Sequence, residues 1–162
     1  MHYRIFILAE NIDDFDFDNI PTEYELFDYL SHYGIDYVSE ETDLEDDIEW
    51  FKNIYNLKIK TEKMIGGDKH SIYYKIDKQE LIEALIKEKR HRLENVKKMI
   101  KDMEHDIMSV PAWKISNEIY TQKGFYFYLD GYGLMNEMDL LEDLKLIKNN
   151  TIYIVDSFDY HF

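Results

Sequence analysis

Hydrophobic residues follow two spacings along this chain, and each spacing predicts one kind of element. An unbroken apolar run over residues 5–9 predicts a buried strand near the start of the sequence. Alternating positions predict further strands over residues 35–39, 125–129 and 151–155. We interpret the segment 156–162, which follows the last of these strands, as a tail.

Helix starts are marked by residues that can cap the free backbone N–H groups of the first turn. Thr22, with Glu25 three residues later, has the spacing of a capping box, and Gly34 ends the helix that follows. Thr42 and Glu45 repeat this spacing and predict a second helix. Its first turns are rich in acidic residues, which suits the positive end of the helix dipole.

The second half of the sequence predicts three more helices. Asp77 caps a long helix over about residues 78–107, a short helix follows over 112–122, and Asn136 caps a helix over 137–148. At 1.5 Å per residue the long helix would measure about 45 Å, which exceeds the diameter of a small domain. Part of it must therefore project, bend or pack against another chain, and a homodimer through this helix is one interpretation.

A hairpin and the order of elements indicate the fold class. Two alternating segments flank Gly66, Gly67 and Asp68, a pattern typical of a β-hairpin. Strands and helices follow one another without the steady alternation of a doubly wound fold. We therefore predict an α+β fold with a mixed or antiparallel sheet, several short helices and one long helix. No linker divides the sequence, so we expect a single domain over 1–162.

The composition indicates a chain that can bury a core in a reducing compartment. Of its 162 residues, 45% are hydrophobic and 15% aromatic, far more than a disordered acidic segment would contain. There is no cysteine, which excludes disulfides and thiolate metal sites. No apolar run approaches the roughly 20 residues that span a bilayer. We expect a cytoplasmic protein that does not bind membranes.

The net charge of −15 is concentrated in the first third of the sequence. Residues 1–50 contain 16 acidic residues and one basic residue, Arg4. Residues 51–107 carry a net charge of +4 and residues 108–162 a net charge of −4. Because such crowding of like charge costs stability, the first third is the place to look for a function.

Two acidic stretches are the candidate surface for a cationic partner. In an extended segment alternate residues point the same way, so Asp14, Asp16 and Asp18 would project outward with Phe15 and Phe17 turned inward. The predicted helix after Thr42 adds a second acidic row, in which Trp50 could anchor a basic partner. The candidate partner-binding residues are Asp13, Asp14, Asp16, Asp18, Glu23, Glu25, Glu40, Glu41, Asp43, Glu45, Asp46, Asp47, Glu49 and Trp50.

A calcium loop is an alternative interpretation of the first acidic stretch. From Asp14 to Glu25 carboxylates occupy positions 1, 3, 5 and 12, as they do in an EF-hand. Asn19 replaces the glycine of the sharp turn, Pro21 lacks an N–H, and the preceding segment is predicted to be a strand rather than a helix. We therefore assign no metal ligands and keep a calcium-binding module as an alternative.

No arrangement of residues predicts catalysis. The sequence contains no HExxH motif, no G-x-S-x-G motif and no phosphate-binding glycine loop, so we expect a protein without enzymatic activity, catalytic residues or cofactor. A basic patch over 87–92 could contact phosphates, but neighbouring glutamates dilute it and the remaining chain would repel DNA. We expect no direct binding to nucleic acid.

The charge density of residues 10–49, with the stretches ENIDDFDFD and ETDLEDDIE, resembles that of a known class of inhibitors. These are small acidic proteins of phages and mobile elements, the anti-CRISPR and anti-restriction proteins that act as DNA mimics. The resemblance implies a non-enzymatic inhibitor of a host-defence nuclease, such as a CRISPR effector or a restriction enzyme, in the host cytoplasm. Such an inhibitor would either mimic DNA or grip a basic patch and lock a moving domain.

An immunity protein or antitoxin that neutralises a basic toxin is the main alternative function. It would use the same electrostatic attraction, because acidic surfaces steer and bind cationic partners whatever the partner's activity. In both interpretations the partner is a basic protein, and the acidic residues above form the contact surface.

Overall fold

The computed structural model of the chain describes residues 2–32, 34–63, 72–120 and 125–161. In these ranges the strands are β1 (His2–Ala9), β2 (Tyr37–Ser39), β3 (Lys60–Lys63), β4 (Ile72–Asp77), β5 (Phe125–Leu129), β6 (Gly133–Met135) and β7 (Thr151–His161). The helices are α1 (Glu23–Ser31), α2 (Leu44–Tyr55), α3 (Lys78–His105), α4 (Ala112–Tyr120) and α5 (Glu137–Leu146), and a short 3-10 turn spans Phe17–Asn19.

The strands form one mixed sheet with the order β3-β4-β7-β1-β5-β6. Strands β1 and β5 are parallel, whereas the other pairs are antiparallel. Strand β2 is off this path and pairs with residues 159–161 of β7. This architecture confirms the predicted α+β class with a mixed sheet, a hairpin of β3 and β4, and one long helix. The predicted turn of that hairpin lies outside the described residues.

The segment predicted to be a tail is the second half of strand β7, so that prediction was wrong. Residues 156–161 pair with β1 on one edge, and residues 159–161 pair with β2 on the other. Two aspartates and a serine disguise the alternation of this segment. Asp159 and Ser157 are tolerated in the sheet because Asp159 contacts Arg4 and the Ser157 side chain is hydrogen-bonded.

Strands β4 and β2 pair with the same edge of β7, and a gap separates them. Strand β4 pairs with residues 151–154 of β7 and β2 pairs with residues 159–161, so no strand of the described residues pairs with residues 155–158 on that edge of β7. We call this stretch of β7 the strand gap. The segment 40–43 passes beside it, because the Thr42 hydroxyl donates a hydrogen bond to the Ser157 carbonyl oxygen at 2.9 Å.

Each face of the sheet is covered by a different part of the chain. On one face α2, α5 and the first turns of α3 bury an aromatic core that includes Phe6, Phe51 and Phe125. On the other face α1 and the segment before it cover Ile5, Ile7 and their neighbours. The two acidic stretches therefore begin on opposite faces of the sheet.

Two helix starts differ in how well the sequence predicted them. The capping box of α1 is present, with reciprocal hydrogen bonds between Thr22 and Glu25. Helix α2 is capped by Asp43 instead of the predicted Thr42, because the Asp43 carboxylate accepts the N–H groups of Glu45 and Asp46. The Thr42 hydroxyl is directed to the strand gap instead.

Helix α3 leaves the body of the fold after its first turns. Its 28 residues correspond to about 42 Å, and only Leu81 and Leu85 are fully buried. Beyond them α3 packs against α4, with the Asn95 amide donating a hydrogen bond to Glu118 Oε1 at 2.7 Å. We call the helical pair formed by residues 88–120 the arm. Within the described residues no helix combines the length and apolarity needed to cross a bilayer.

Candidate functional site

The segment before α1 holds its aspartates outward and its phenylalanines inward. Phe15 and Phe17 pack on the sheet, and their rings meet edge to face at a centroid distance of 5.0 Å. Asp14, Asp16 and Asp18 are exposed, as the alternation predicted. The segment is not a straight row, however, because the Asp16 side chain accepts the Asp18 N–H and caps the 3-10 turn.

Local hydrogen bonds fix the acidic residues at the start of α1. The Glu25 carboxylate accepts the N–H of Thr22 at 2.8 Å and its hydroxyl at 2.9 Å, and these two bonds lower the pKa of Glu25. The Glu23 carboxylate accepts the Glu40 N–H at 2.5 Å. This last bond ties α1 to the segment that passes the strand gap, so the two acidic stretches are connected through Glu23.

The acidic stretches meet around the strand gap. A shallow groove of about 380 Å³ there has Glu23, Glu40 and Asp156 among its lining residues. Burial raises the pKa of Tyr74, and the nearby carboxylates of Glu45 and Asp43 raise it further. Negative charge from the start of α2 therefore reaches the strand that borders the gap.

On the other face of β4, carboxylates also affect the pKa of a tyrosine. Burial raises the pKa of Tyr73, with the Glu62 carboxylate as the next cause and Asp13 as a weaker one. Tyr73 and Tyr74 are adjacent and point to opposite faces of the sheet. Carboxylates therefore lie near both faces of β4. We define the acidic edge as the carboxylates beside the strand gap: Asp13, Glu23, Glu40, Glu41, Asp43 and Glu45.

A second groove, of about 440 Å³, lies between the start of α1 and the β5–β6 hairpin. Its lining includes Tyr29 and Tyr128 as well as Asp18 and Glu25. Burial raises the pKa of Tyr128, and Asp130 and Glu25 add to this rise. Rings beside carboxylates suit a lysine or arginine side chain. The pattern of acidic residues in the sequence did not identify Tyr29, Tyr128 or Asp130 as residues of the site.

Few of the amino-terminal carboxylates are neutralised. Of the 16 in residues 1–50, only three pair with a basic side chain within the described part of the chain. These pairs are Asp47 with Arg4, Glu49 with Lys52, and Asp36 with His161. The remaining carboxylates are all exposed or half-buried. Their charge is available to a partner.

Asp47 and Trp50 serve the interior and are removed from the candidate surface. Asp47 is only 3% exposed, and its carboxylate contacts Arg4 Nε at 2.5 Å and the Ser157 hydroxyl at 2.8 Å. The Trp50 ring lies 4.8 Å from that of Phe125 and under the Arg4 guanidinium. The helical spacing of Asp47 with the buried Phe51 is the signal that could have revealed its inward position.

The folded acidic segment does not have the arrangement of a calcium loop. Glu25, which would supply the bidentate ligand at position 12, is held by Thr22, and Asp14 accepts a hydrogen bond from the Asn11 amide. Among the residues that the structure describes, no three acidic or histidine side chains converge on a point where a metal ion could bind. The geometry thus favours a charged surface over the calcium alternative.

A buried polar cluster holds the arm against the body. Glu137 is 7% exposed, and its carboxylate accepts hydrogen bonds from the Tyr55 hydroxyl and from Arg92 Nη2, the latter at 3.3 Å. Arg92 also contacts Glu88 at 3.2 Å. Burial and the Glu137 carboxylate raise the pKa of Tyr55 well above its usual range, so its hydroxyl remains a donor. The cluster joins α2, α3 and α5.

Replacing Arg92 by Met should lower the free energy of unfolding by about 3 kcal/mol, because Glu137 would keep its charge in a buried site with one donor fewer. Urea denaturation measures this loss. The matched control is Lys97→Met on the same helix, which breaks an exposed pair with Glu94 and should cost under about 0.5 kcal/mol. Equal losses in the two variants would contradict a supporting role for the cluster.

Comparisons with family models, curated proteins and solved structures found no match to this chain.

Proposed function

We propose that this chain is a non-enzymatic binding protein that inhibits a nucleic-acid-binding enzyme through its acidic edge and the acidic loop, which is the neighbouring segment with Asp14, Asp16 and Asp18. The proposed target class is a host-defence nuclease, such as a CRISPR effector or a restriction enzyme, which would place the protein in the host cytoplasm. Such enzymes hold nucleic acid in channels lined with Lys and Arg, and these residues attract any surface of dense negative charge.

The observation that carries this proposal is the lack of neutralisation of the amino-terminal carboxylates. A protein that used them for its own stability would pair most of them with its lysines, but 13 of the 16 form no such pair within the described residues. Among the basic residues of α3, Arg92 and Lys97 pair with acids on α3 and α5, and within the described residues none pairs with an amino-terminal carboxylate. Unpaired charge gives rapid, salt-dependent association with a cationic partner.

The rigidity of the surface supports a role in binding. The acidic loop is anchored by Phe15 and Phe17, while Glu23 and Glu25 are held by backbone hydrogen bonds. A surface that is already ordered loses little conformational entropy when it binds. The carboxylates can thus act as a fixed pattern of negative charge, as the phosphates of a nucleic acid do. Such a pattern suits DNA mimicry and also a grip on a basic patch that locks a moving domain.

A pull-down from a lysate that contains host-defence nucleases tests the proposal. The chain should capture a basic nucleic-acid-binding enzyme at low salt and release it at high salt, because screening weakens exposed charge pairs. Added DNA should compete with the chain if the two occupy one channel. Capture of a basic toxin without nuclease activity would instead favour the immunity-protein alternative. Capture of no basic protein at low salt would contradict both functions.

A further inference from the structure

Helix α3 carries an apolar stripe that the rest of the described chain leaves partly uncovered. The stripe follows steps of four and three residues, the repeat of a coiled-coil seam, and Lys89 interrupts it once. Its apolar members are Ile82, Ile86, Leu93, Val96, Ile100, Met103 and, just beyond the helix, Ile107. Leu93 and Ile100 are each 49% exposed and Ile107 is 75% exposed. Large apolar side chains exposed in a row along one helix mark an interaction surface.

The charged residues beside this stripe complement one another in a particular way. Arg90, Lys97 and Glu104 are exposed and follow one another at intervals of seven residues, so they lie along one flank of the stripe. On the other flank the body and α4 cover the helix, as the contact of Asn95 with Glu118 shows. Among the described residues, nothing covers the flank with the three charged residues, so this flank is open to a partner helix.

We propose that a second copy of this chain covers the stripe, with the two α3 helices antiparallel and centred near Lys97. In this register Arg90 of each copy lies opposite Glu104 of the other, because the two positions are equally far from the centre. Leu93 and Ile100 of one copy then pack near the same pair of the other copy. The two Lys97 side chains face each other, but each is paired with its own Glu94 at 2.6 Å.

The charges select the antiparallel arrangement over the parallel one. In a parallel pair the exposed flank of one helix meets the opposite flank of its neighbour. Lys97 of one copy would then lie near Arg92 of the other, and Arg90 would have no carboxylate opposite it. A parallel pair would also bring two acidic bodies side by side, although each chain has a net charge of −15. The antiparallel pair places these bodies at opposite ends of the joined arms, where repulsion is smallest.

Single cysteines test the register directly, because the chain has no cysteine of its own. A short bis-maleimide should link Lys97→Cys to itself as a covalent dimer, since the two residues meet at the centre. Ile107→Cys is the matched exposed control and should not link, because ten residues on each side of the centre separate the two thiols by about 30 Å. Linking of Ile107→Cys, or failure of Lys97→Cys to link, would overturn the proposal.

Light scattering tests the pairing without a cross-linker. We expect a dissociation constant of about 1 µM for the dimer, so the unmodified chain should be dimeric at about 100 µM. Leu93→Lys combined with Ile100→Lys should give a monomer with an unchanged circular dichroism spectrum. Arg90→Glu should weaken the dimer at least fivefold, and adding Glu104→Arg should restore it. A monomeric unmodified chain, or no restoration in the variant with both Arg90→Glu and Glu104→Arg, would contradict the proposal. If the unmodified chain were monomeric and the two lysine substitutions abolished capture of a protein in the pull-down, that protein would be the one that covers the stripe.

Discussion

Replacing Arg4 by Met is expected to lower the free energy of unfolding by about 4 kcal/mol. Arg4 is the only Lys or Arg in residues 1–50, and its guanidinium contacts two carboxylates, Asp47 and Asp159, each at 2.5 Å. Those carboxylates are 4% and 13% exposed, so removal of the arginine takes a close counter-charge away from two like charges that are largely shielded from water. Since the total stability of a domain is about 5–15 kcal/mol, this loss is a large part of it.

Urea denaturation with two further variants isolates the electrostatic cause. Lys52→Met is the matched control, because it breaks a largely exposed pair with Glu49 and should change stability by under about 0.5 kcal/mol. Adding Asp47→Asn to Arg4→Met should recover part of the loss, since the neutral amide can still accept the Ser157 hydroxyl. A loss under about 1 kcal/mol for Arg4→Met alone would show that water or relaxation compensates the buried aspartates.

Replacing Asp14, Asp16 and Asp18 together by Asn should weaken binding to the captured enzyme about tenfold at low salt. Each exposed charge pair contributes up to about 1 kcal/mol, and three of them together with lost steering give an effect of this size. Asn keeps the fold because its side-chain oxygen can cap the 3-10 turn as Asp16 does. A second triple variant at the acidic edge, Glu40→Gln with Glu41→Gln and Glu45→Gln, should cost a similar factor.

The control for both triple variants changes the same number of charges elsewhere. Glu83, Asp102 and Glu142 are exposed on α3 and α5, away from the acidic edge, and their amide variants should stay within twofold of the unchanged chain. Binding is measured by biolayer interferometry at two salt concentrations, and the differences should shrink at the higher one. Equal weakening by all three triple variants would indicate that net charge matters and that the acidic edge does not.

Local signals in the sequence predicted most elements but not where the long-range pairings place them. The Thr22 capping box and the aromatic alternation of 125–129 depend on neighbours a few residues apart, and both are present. Strand β6 was missed because three residues carry little periodicity. The second half of β7 was missed because it contains two aspartates, and the Arg4 side chain that pairs with Asp159 lies 155 residues earlier in the chain.

The candidate surface was predictable as a set of residues but not as a shape. The sequence identifies the acidic residues, and most of them are exposed. Their meeting around the strand gap depends on β2 and β4 sharing one edge of β7, a relation that no local pattern encodes. Asp47 is a second example, because helix α2 carries exposed acidic residues and this buried one in adjacent positions, and the acidic pattern alone does not distinguish them.

The central position of β7 has a consequence for synthesis on the ribosome. Strand β1 emerges from the ribosome early, but both strands that pair with it are synthesised much later. Strand β7 on one edge follows about 150 residues later, and β5 on the other edge follows about 120 residues later. An unpaired apolar strand is a template for aggregation while it waits. The dense negative charge directly after β1 would make nascent chains repel one another during this delay. The same aspartates would therefore reduce aggregation of the polypeptide before it is folded.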